Sequence, residues 1–276
     1  MWLSWDMASL LAAGLAAFGW VTRRRGQRWR LVSDVAVEAS LVAVLYSIWQ
    51  LIGTFTDRRV TGAEQHGLWV WNLERAMHLP SELSAQRQLL PHPLLVQAAN
   101  GFYAIVHVPA LGVFLVWLFL RHRDRYPAWR NVLAVLTFGC FVAHLVPVAP
   151  PRLIHGLGFV DTGALYHQSV YGPMGTGISD QLSAMPSVHL AWACLIALAT
   201  IQAGTSRWRW AVVLHPLATL YVVTVTGNHF ILDGVAAAVV LGLSVVLVRL
   251  PSLLRPAPAQ ASPSLAAGTV ASRPAR

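Results

Sequence analysis

The chain contains no lysine, few charged residues of either sign and only two cysteines. Its 276 residues are 56% hydrophobic and 11% charged, whereas roughly a quarter of the residues in a soluble domain are charged. The cysteines, Cys140 and Cys194, lie in apolar segments and show neither a disulfide pattern nor a zinc-binding spacing. These shortages argue against a soluble globular domain, and they leave the redox compartment open.

Apolar blocks of about 20 residues, the length that crosses ~30 Å of hydrocarbon, make up most of the chain. The first block does not look like a cleavable signal peptide, because Asp6 lies near its start and its arginines follow the apolar run. We therefore expect an all-α integral membrane protein, with a bundle of about seven transmembrane helices. The predicted spans are residues 3–21, 32–53, 94–120, 131–149, 186–204, 209–227 and 229–249.

All twenty basic residues are arginines, and they are distributed unequally between the two sides of the predicted bundle. Fifteen follow spans one, three, five and seven, whereas the other five lie in the intervening segments at residues 58, 59, 75, 87 and 152. The positive-inside rule then predicts a multi-pass cell-membrane protein with its N-terminus outside and its C-terminus in the cytoplasm. Because the arginines form no stripe with aromatic residues on a polar surface, we do not expect a nucleic-acid partner.

The segment 54–93 lies outside in this topology and carries Trp69, Leu73, Ala76 and Met77 on one helical face. That spacing is typical of a helix lying in the membrane interface, but the sequence does not decide whether one forms. The glycine-rich segment 150–185 predicts an irregular outer loop. The Pro/Ala/Ser-rich residues 251–276 predict a disordered cytoplasmic tail.

Three short motifs fall at the outer ends of the predicted spans. They are Ala-Pro-Pro-Arg-Leu at 149–153, Ala-Met-Pro-Ser-Val-His-Leu-Ala-Trp at 184–192, and Thr-Gly-Asn-His-Phe-Ile-Leu-Asp-Gly at 226–234. Ionisable groups at such positions are costly unless they are paired or hydrated. Since all three motifs lie at one membrane depth, we expect a bundle to bring them together.

The residue types in these motifs fit phosphoryl chemistry. His229 and Asp233 are four residues apart, so a helix places them on one face, where the carboxylate can orient the imidazole. His189 can transfer a proton, and Arg152 presents a fork of donors suited to phosphate oxygens.

The start of the fifth span adds a possible anion site. Pro186 suits the first position of a helix, where the free N–H groups that follow favour anions, and Ser187 adds a hydroxyl donor there. Each motif alone has a plainer interpretation: a polar pair that fixes helix packing, or a helix stop with an arginine reaching the headgroups.

Together these motifs resemble the type 2 phosphatidic acid phosphatase superfamily, whose signature is K-x6-R-P, P-S-G-H and S-R-x5-H-x3-D. Pro186 to His189 resemble the second part and His229 to Asp233 the end of the third. The resemblance covers roughly residues 94–245. It implies that His229 is the nucleophile, Asp233 its orienting group and His189 the acid that protonates the leaving group.

The chain departs from this signature where two cations are expected. Val222 and Val223 stand in place of Ser-Arg, Leu145 in place of the lysine, and Leu153 in place of the proline. The missing cations argue against vanadate-dependent haloperoxidases, which share the superfamily core and need several basic residues.

The pattern is similar instead to the branch of fungal inositol phosphorylceramide synthases and their bacterial relatives. There P-P-R-L, M-P-S-x-H and G-N-H-x3-D are typical. This resemblance makes Asn100, Tyr103, His107 and Asn228 candidates for a pocket wall, although polar packing between helices explains the first three equally well.

The sequence thus predicts a lipid phosphatase or phosphotransferase that acts at the extracytoplasmic face, with a membrane lipid as substrate and no metal or other cofactor. Its expected domains are an extra N-terminal helix with a basic loop (1–31), a catalytic membrane domain with a six-helix phosphatase-like core (32–250) and the tail. The acceptor, water or an alcohol, and the oligomeric state stay open. The alternative is a non-enzymatic transporter, or a protein whose His189, His229 and Asp233 relay protons or bind zinc.

Overall fold

A computed structural model of the chain describes residues 4–56, 62–171 and 181–253. Within these residues the secondary structure is helical, and an isolated bridge between Val148 and Ser183 is the only β-type pairing. The all-α prediction is therefore confirmed. The α-helices are α1 Trp5–Arg24, α2 Arg30–Thr56, α3 Ala63–Ala76, α4 Glu82–Leu89, α5 Pro93–Ile105, α6 His107–Arg121, α7 Tyr126–Ala143, α8 Thr162–Leu165, α9 Val188–Ala203, α10 Leu214–Val225 and α11 Ile231–Leu253.

Four helical segments of the described chain are long and apolar enough to cross a membrane: Trp5–Arg24, Gln27–Ile48, Arg207–Val225 and Ile231–Arg249. The pair α5 and α6, bent by 48° at their junction, makes a fifth if it is counted as one span. Helix α9 is apolar but shorter, and α7 occupies the predicted fourth span. These helices fit a multi-pass membrane protein, while the number of seven spans stays a prediction.

Helices α1 and α2 pack closely as an antiparallel pair. Small residues let the backbones approach, since a Cβ placed on Gly19 would lie 3.0 Å from Val37. The Ser33 hydroxyl donates to the Gly19 carbonyl at 2.7 Å, and the Ser40 hydroxyl donates to that of Ala12 at 2.8 Å. Close approach of small residues and hydroxyl bonds of this kind are typical of helix pairs in membranes.

The central core lies where α6, α7, α9 and α11 meet. It includes the fully buried Leu118, Leu136, Leu195 and Ala237. Helix α10 packs against α9 on one side and against α4 and α5 on the other. As a result, the first turns of α9 and α11 and the last turn of α10 lie together at one end of the bundle.

Two helices, α3 and α4, form within the segment 54–93 and pack on that end of the bundle. Helix α3 buries Val70 and Glu74, whereas Trp69 is 64% exposed and Met77 is 53% exposed. The apolar face read from the sequence is thus the outward face of α3. Its inward face consists of small residues and one carboxyl group, which apolar periodicity does not reveal.

The described parts of segment 150–185 contain more regular structure than the sequence predicts. It contains a 3₁₀ turn at Pro151–Leu153 and the short helix α8, and Ala184 N–H donates to the Val148 carbonyl at 3.1 Å. The glycines between 172 and 177 lie outside the described residues. The predicted disordered tail begins within α11, and its residues 254–276 also lie outside them.

Candidate active site

A tight turn between α10 and α11 places Asn228 and His229. Gly227 adopts a left-handed φ of +69°, and a Cβ there would lie 3.1 Å from the Cβ of Arg152. Glycine therefore suits both the conformation and the close approach. The backbone N–H of His229 donates to the Val223 carbonyl at 3.1 Å, which closes the turn.

The His229 ring is held through its Nδ1 atom. Nδ1 lies 2.8 Å from the Ala184 carbonyl oxygen and 3.2 Å from Asp233 Oδ2. Because a carbonyl oxygen can only accept, Nδ1 must carry the proton, and the lone pair is then on Nε2. Nε2 is buried without a hydrogen-bond partner among the described residues. Burial, together with the nearby charge of Arg152, lowers the pKa of His229 to about 4, so the ring is neutral near pH 7.

Asp233 lies in the first turn of α11 and is fully buried. Its Oδ2 accepts from the Phe230 N–H at 2.8 Å as well as facing the His229 ring. Its backbone carbonyl accepts from the Ser187 N–H at 3.1 Å, which ties the start of α11 to the start of α9. The spacing of four residues thus brings the predicted pair into contact.

His189 lies in the first turn of α9, with its ring centroid 5.8 Å from that of His229. The helix begins at Val188, and Ser187 is its N-cap, with Oγ accepting from the Leu190 N–H at 3.4 Å. The prediction that Pro186 is the first helical residue was wrong, because the serine hydroxyl caps the helix one residue later. Ser187 is fully buried, and a phosphate-binding role for its hydroxyl stays a prediction.

Arg152 is the cation that the described chain brings to this site. Its Nε donates to Asn228 Oδ1 at 2.8 Å, its Nη1 donates to Asp161 Oδ2 at 3.0 Å, and the Tyr171 ring lies 4.6 Å from the guanidinium carbon. The side chain is 3% exposed. Nη2 is buried with no partner among the described residues, so this guanidinium nitrogen can donate to a bound anion.

Only some of the predicted pocket residues face His189. The Tyr103 and His107 rings lie 4.6 Å and 4.7 Å from its ring. Asn100 instead bonds the carbonyl and hydroxyl of Thr162, at 3.0 Å and 2.8 Å, and so fastens the outer loop. Asn228 contacts Arg152 and supports it, as described above.

His215 and two carboxylates were not predicted as neighbours of the site. The His215 ring stacks on that of His107, with 6.2 Å between centroids. Glu82 accepts from the Ile231 N–H at 3.3 Å and Glu74 from the Leu232 N–H at 2.8 Å. The sequence did mark Glu74 and Glu82 as unusual, since carboxylates are rare in so apolar a chain. Their partners, however, lie about 150 residues away.

No group of three or more His, Cys, Asp or Glu side chains in the described chain is arranged to hold a metal ion. The described site consists of two imidazoles, of which that of His229 is held by hydrogen bonds, together with a buried carboxylate and one guanidinium. These are groups that can bind an anion and move a proton.

A family model described as the PAP2 superfamily, the type 2 phosphatidic acid phosphatases, matches residues 68–247. The chain belongs to the PAP2 superfamily. The superfamily part of the sequence resemblance is confirmed, and PAP2 membership supports a phosphatase-type enzyme. The similarity to inositol phosphorylceramide synthases stays a prediction. No curated protein and no solved structure matches the chain.

The PAP2 match contains every residue of the site described above. It begins in α3, earlier than the resemblance at 94–245, and so includes Glu74 and Glu82 of α3 and α4. Helices α1 and α2 precede the matched residues. Helix α4 and most of α3 therefore lie within the part of the chain that matches the PAP2 model.

Proposed function

We propose that this PAP2 protein is a lipid phosphatase or phosphotransferase that works through a phosphohistidine intermediate at the extracytoplasmic membrane face. The observation that carries the proposal is the fixed tautomer of His229. With Nδ1–H committed to the Ala184 carbonyl and Asp233, the Nε2 lone pair is free and lies on the ring edge away from these partners.

In the proposed first step, His229 Nε2 attacks phosphorus while the bond to the leaving oxygen breaks. His189 gives its proton to that oxygen, and Arg152 Nη2 donates to the phosphoryl oxygens. The ring of the phosphohistidine is cationic, and the adjacent Asp233 carboxylate stabilises this charge. In the second step, water or an alcohol attacks phosphorus, His189 takes the proton of that acceptor, and His229 is released neutral.

A lipid substrate is supported by the surroundings of the site. An apolar cavity of about 570 Å³ opens where α5 and α6 bend. It is lined by carbon-rich side chains from α6 and α9, including Val113, Trp117 and Ile196. Two of its lining residues, Ile105 and Val106, directly precede His107, whose ring lies 4.7 Å from that of His189. The extracytoplasmic location rests on the arginine distribution.

The acceptor decides between hydrolysis and transfer. The resemblance to inositol phosphorylceramide synthases favours transfer of a phospho-headgroup, such as phosphoinositol, between lipids. The structure describes one guanidinium at the site, that of Arg152, and this favours a phosphodiester, which carries less charge than a phosphate monoester and needs fewer cations.

The proposal is tested by offering the purified full-length protein, in lipid vesicles, a panel of phosphatidate, polyprenyl diphosphate and phosphodiester lipids. Each is supplied with and without inositol or diacylglycerol as acceptor. Release of inorganic phosphate reports hydrolysis, and new lipid products report transfer. The His229→Ala variant is the control for contaminating phosphatases. Equal turnover by both proteins on every lipid would remove the proposal.

The rate is expected to follow a bell-shaped pH profile. Because the pKa of His229 is lowered to about 4, the nucleophile loses its proton at low pH, and the rising limb of kcat/KM should lie near that value. The falling limb should follow loss of the proton that His189 donates. Measurement of kcat/KM across the acidic range checks this. A rising limb near the ordinary pKa of histidine, about 6.5, would contradict it.

Chelators are expected to leave turnover unchanged. Nucleophile, acid and phosphate-binding cation are all assigned to side chains, so no step requires a metal ion. The measurement is the initial rate before and after dialysis against EDTA, with metal content determined on the same samples. A rate that falls with EDTA and returns with zinc would favour the metal-binding alternative.

A further inference from the structure

The first amides of α11 are capped by carboxylates from three different elements. Phe230 N–H donates to Asp233, Ile231 N–H to Glu82 of α4 and Leu232 N–H to Glu74 of α3. A helix N-terminus favours negative charge, and charge-assisted bonds to its amides are strong. The two glutamates therefore fasten the turn that carries His229 to the outer helices.

The two glutamates share a single cation. Both side chains are 0% exposed, and Arg75 Nη2 lies 3.1 Å from Glu82 Oε2 but 3.9 Å from Glu74 Oε2. Glu74 Oε2 has no hydrogen-bond partner among the described residues. Asp233 adds a third carboxyl nearby. Buried like charges cannot all ionise at low cost, and this favours the protonated form of Glu74.

We propose that Glu74 and Glu82 are a positioning pair for His229 and Asp233, active while they share one proton and weakened when that proton is lost. This inference rests on the proposed function. Neither glutamate touches the reacting atoms. They act through the amides of Ile231 and Leu232, two and three residues beyond His229.

The position of the turn matters because attack on phosphorus requires close alignment of the reacting atoms. A displacement of about 1 Å can lower a rate by roughly 10²-fold. A second negative charge in the pair would repel both its partner and Asp233, and within the described residues Arg75 is the cation that faces it. We expect this repulsion to loosen the start of α11 without removing any group from the site.

The range in which the proton is lost follows from burial. Burial first, and then the bond with Glu82, raise the pKa of Glu74 from 4.5 to about 8. The folded protein thus keeps a proton that the unfolded chain has lost above pH 4.5. Stability conferred by this group therefore falls as pH rises from 4.5 to about 8 and is constant beyond.

Glu74→Gln separates charge from hydrogen bonding. The amide oxygen can still accept from Leu232 N–H, but it carries no titratable proton. Near neutral pH we expect kcat within about twofold of wild type, since one neutral acceptor replaces another. In wild type, kcat is expected to fall at high pH through loss of two protons, the one that His189 donates and the one that Glu74 holds. Glu74→Gln removes the second, so the falling limb of kcat should move up by roughly one pH unit, and the melting temperature should decline less between pH 4.5 and about 8.

Two further variants complete the experiment. Glu64→Gln changes an exposed carboxylate on the same helix and should leave both profiles as in wild type. Glu74→Ala removes the acceptor and should lower kcat about tenfold with KM unchanged, because the buried Leu232 amide is then left without a partner at the start of α11. A purely structural role would not move the pH profile of the glutamine variant.

A falling limb that is the same in wild type and Glu74→Gln would overturn the positioning role, whatever the melting profile. Wild-type protein inactive on every lipid phosphate would count against the proposed function instead. In that case the pH dependence of the melting temperature alone tests whether the two glutamates share a proton. Identical melting profiles in wild type and Glu74→Gln would show that they do not.

Discussion

His229→Ala is expected to lower kcat for the preferred lipid by roughly 10⁴-fold or more, as is found when a covalent nucleophile is removed. The reason is local. In the described chain, His229 combines a buried lone pair with a fixed Nδ1–H and a carboxylate behind it. His189 has no such carboxylate partner among the described residues, so it should not substitute as nucleophile.

The measurement is a rapid quench with a substrate labelled at phosphorus. Wild type should yield a phosphoprotein that is stable to alkali and labile to acid, as expected of phosphohistidine, and His229→Ala should yield none. Asp233→Asn should still form it, more slowly. His92→Ala is the matched control, because this exposed side chain makes no capping bond. Label retained by His229→Ala would show that another residue is the nucleophile.

The general architecture could be predicted because lipid imposes simple rules. Apolar blocks of fixed length and the arginine distribution predicted a helical membrane bundle, with three motifs at one end. In the structure, His189, His229, Asp233 and Arg152 do lie together. The contact between His229 and Asp233 could be predicted from their spacing of four residues, since one helical turn connects them.

Long-range contacts could not be predicted in this way. Glu74 and Glu82 contact the start of α11 across 158 and 149 residues, and no periodicity records such a partner. The apolar face of α3 that the sequence showed, with Trp69 and Met77, is exposed, whereas its packing face, with Gly67 and Val70, could not be identified from large apolar side chains. In a membrane protein, apolar side chains mark the lipid-facing surface as often as the core, so hydrophobic pattern alone does not distinguish them.

The bend between α5 and α6 is a second feature that composition hides. The apolar run 94–120 predicted one continuous span, yet α5 ends at Ile105 and α6 begins at His107. Pro109 follows in the first turn of α6, where it removes a backbone donor from the helix ladder. The bend brings Tyr103 and His107 towards His189 and opens the apolar cavity. Neither consequence can be read from hydropathy.

Arg152→Leu is expected to lower kcat/KM for a lipid phosphate by roughly 10²–10³-fold, because one guanidinium does the work that several cations do in the typical PAP2 signature. Arg152→Lys should recover only part of this loss. An ammonium cannot reproduce the Nε bond to Asn228 and the Nη1 bond to Asp161 that aim the free Nη2 edge. We expect the lysine variant to be about tenfold below wild type.

The orientation of Arg152 can be tested apart from its charge. Asp161→Asn keeps an acceptor oxygen for Nη1 and should change kcat/KM by no more than about threefold, since the carboxylate is 29% exposed and the bond is only partly lost. Inhibition by inorganic phosphate gives an independent measure, and it should weaken in parallel with kcat/KM in the arginine variants. If Arg152→Leu lost turnover but kept the wild-type inhibition constant for phosphate, the guanidinium would be holding the fold of the turn through Asn228, and the phosphate would have to be bound by the amides at the start of α9.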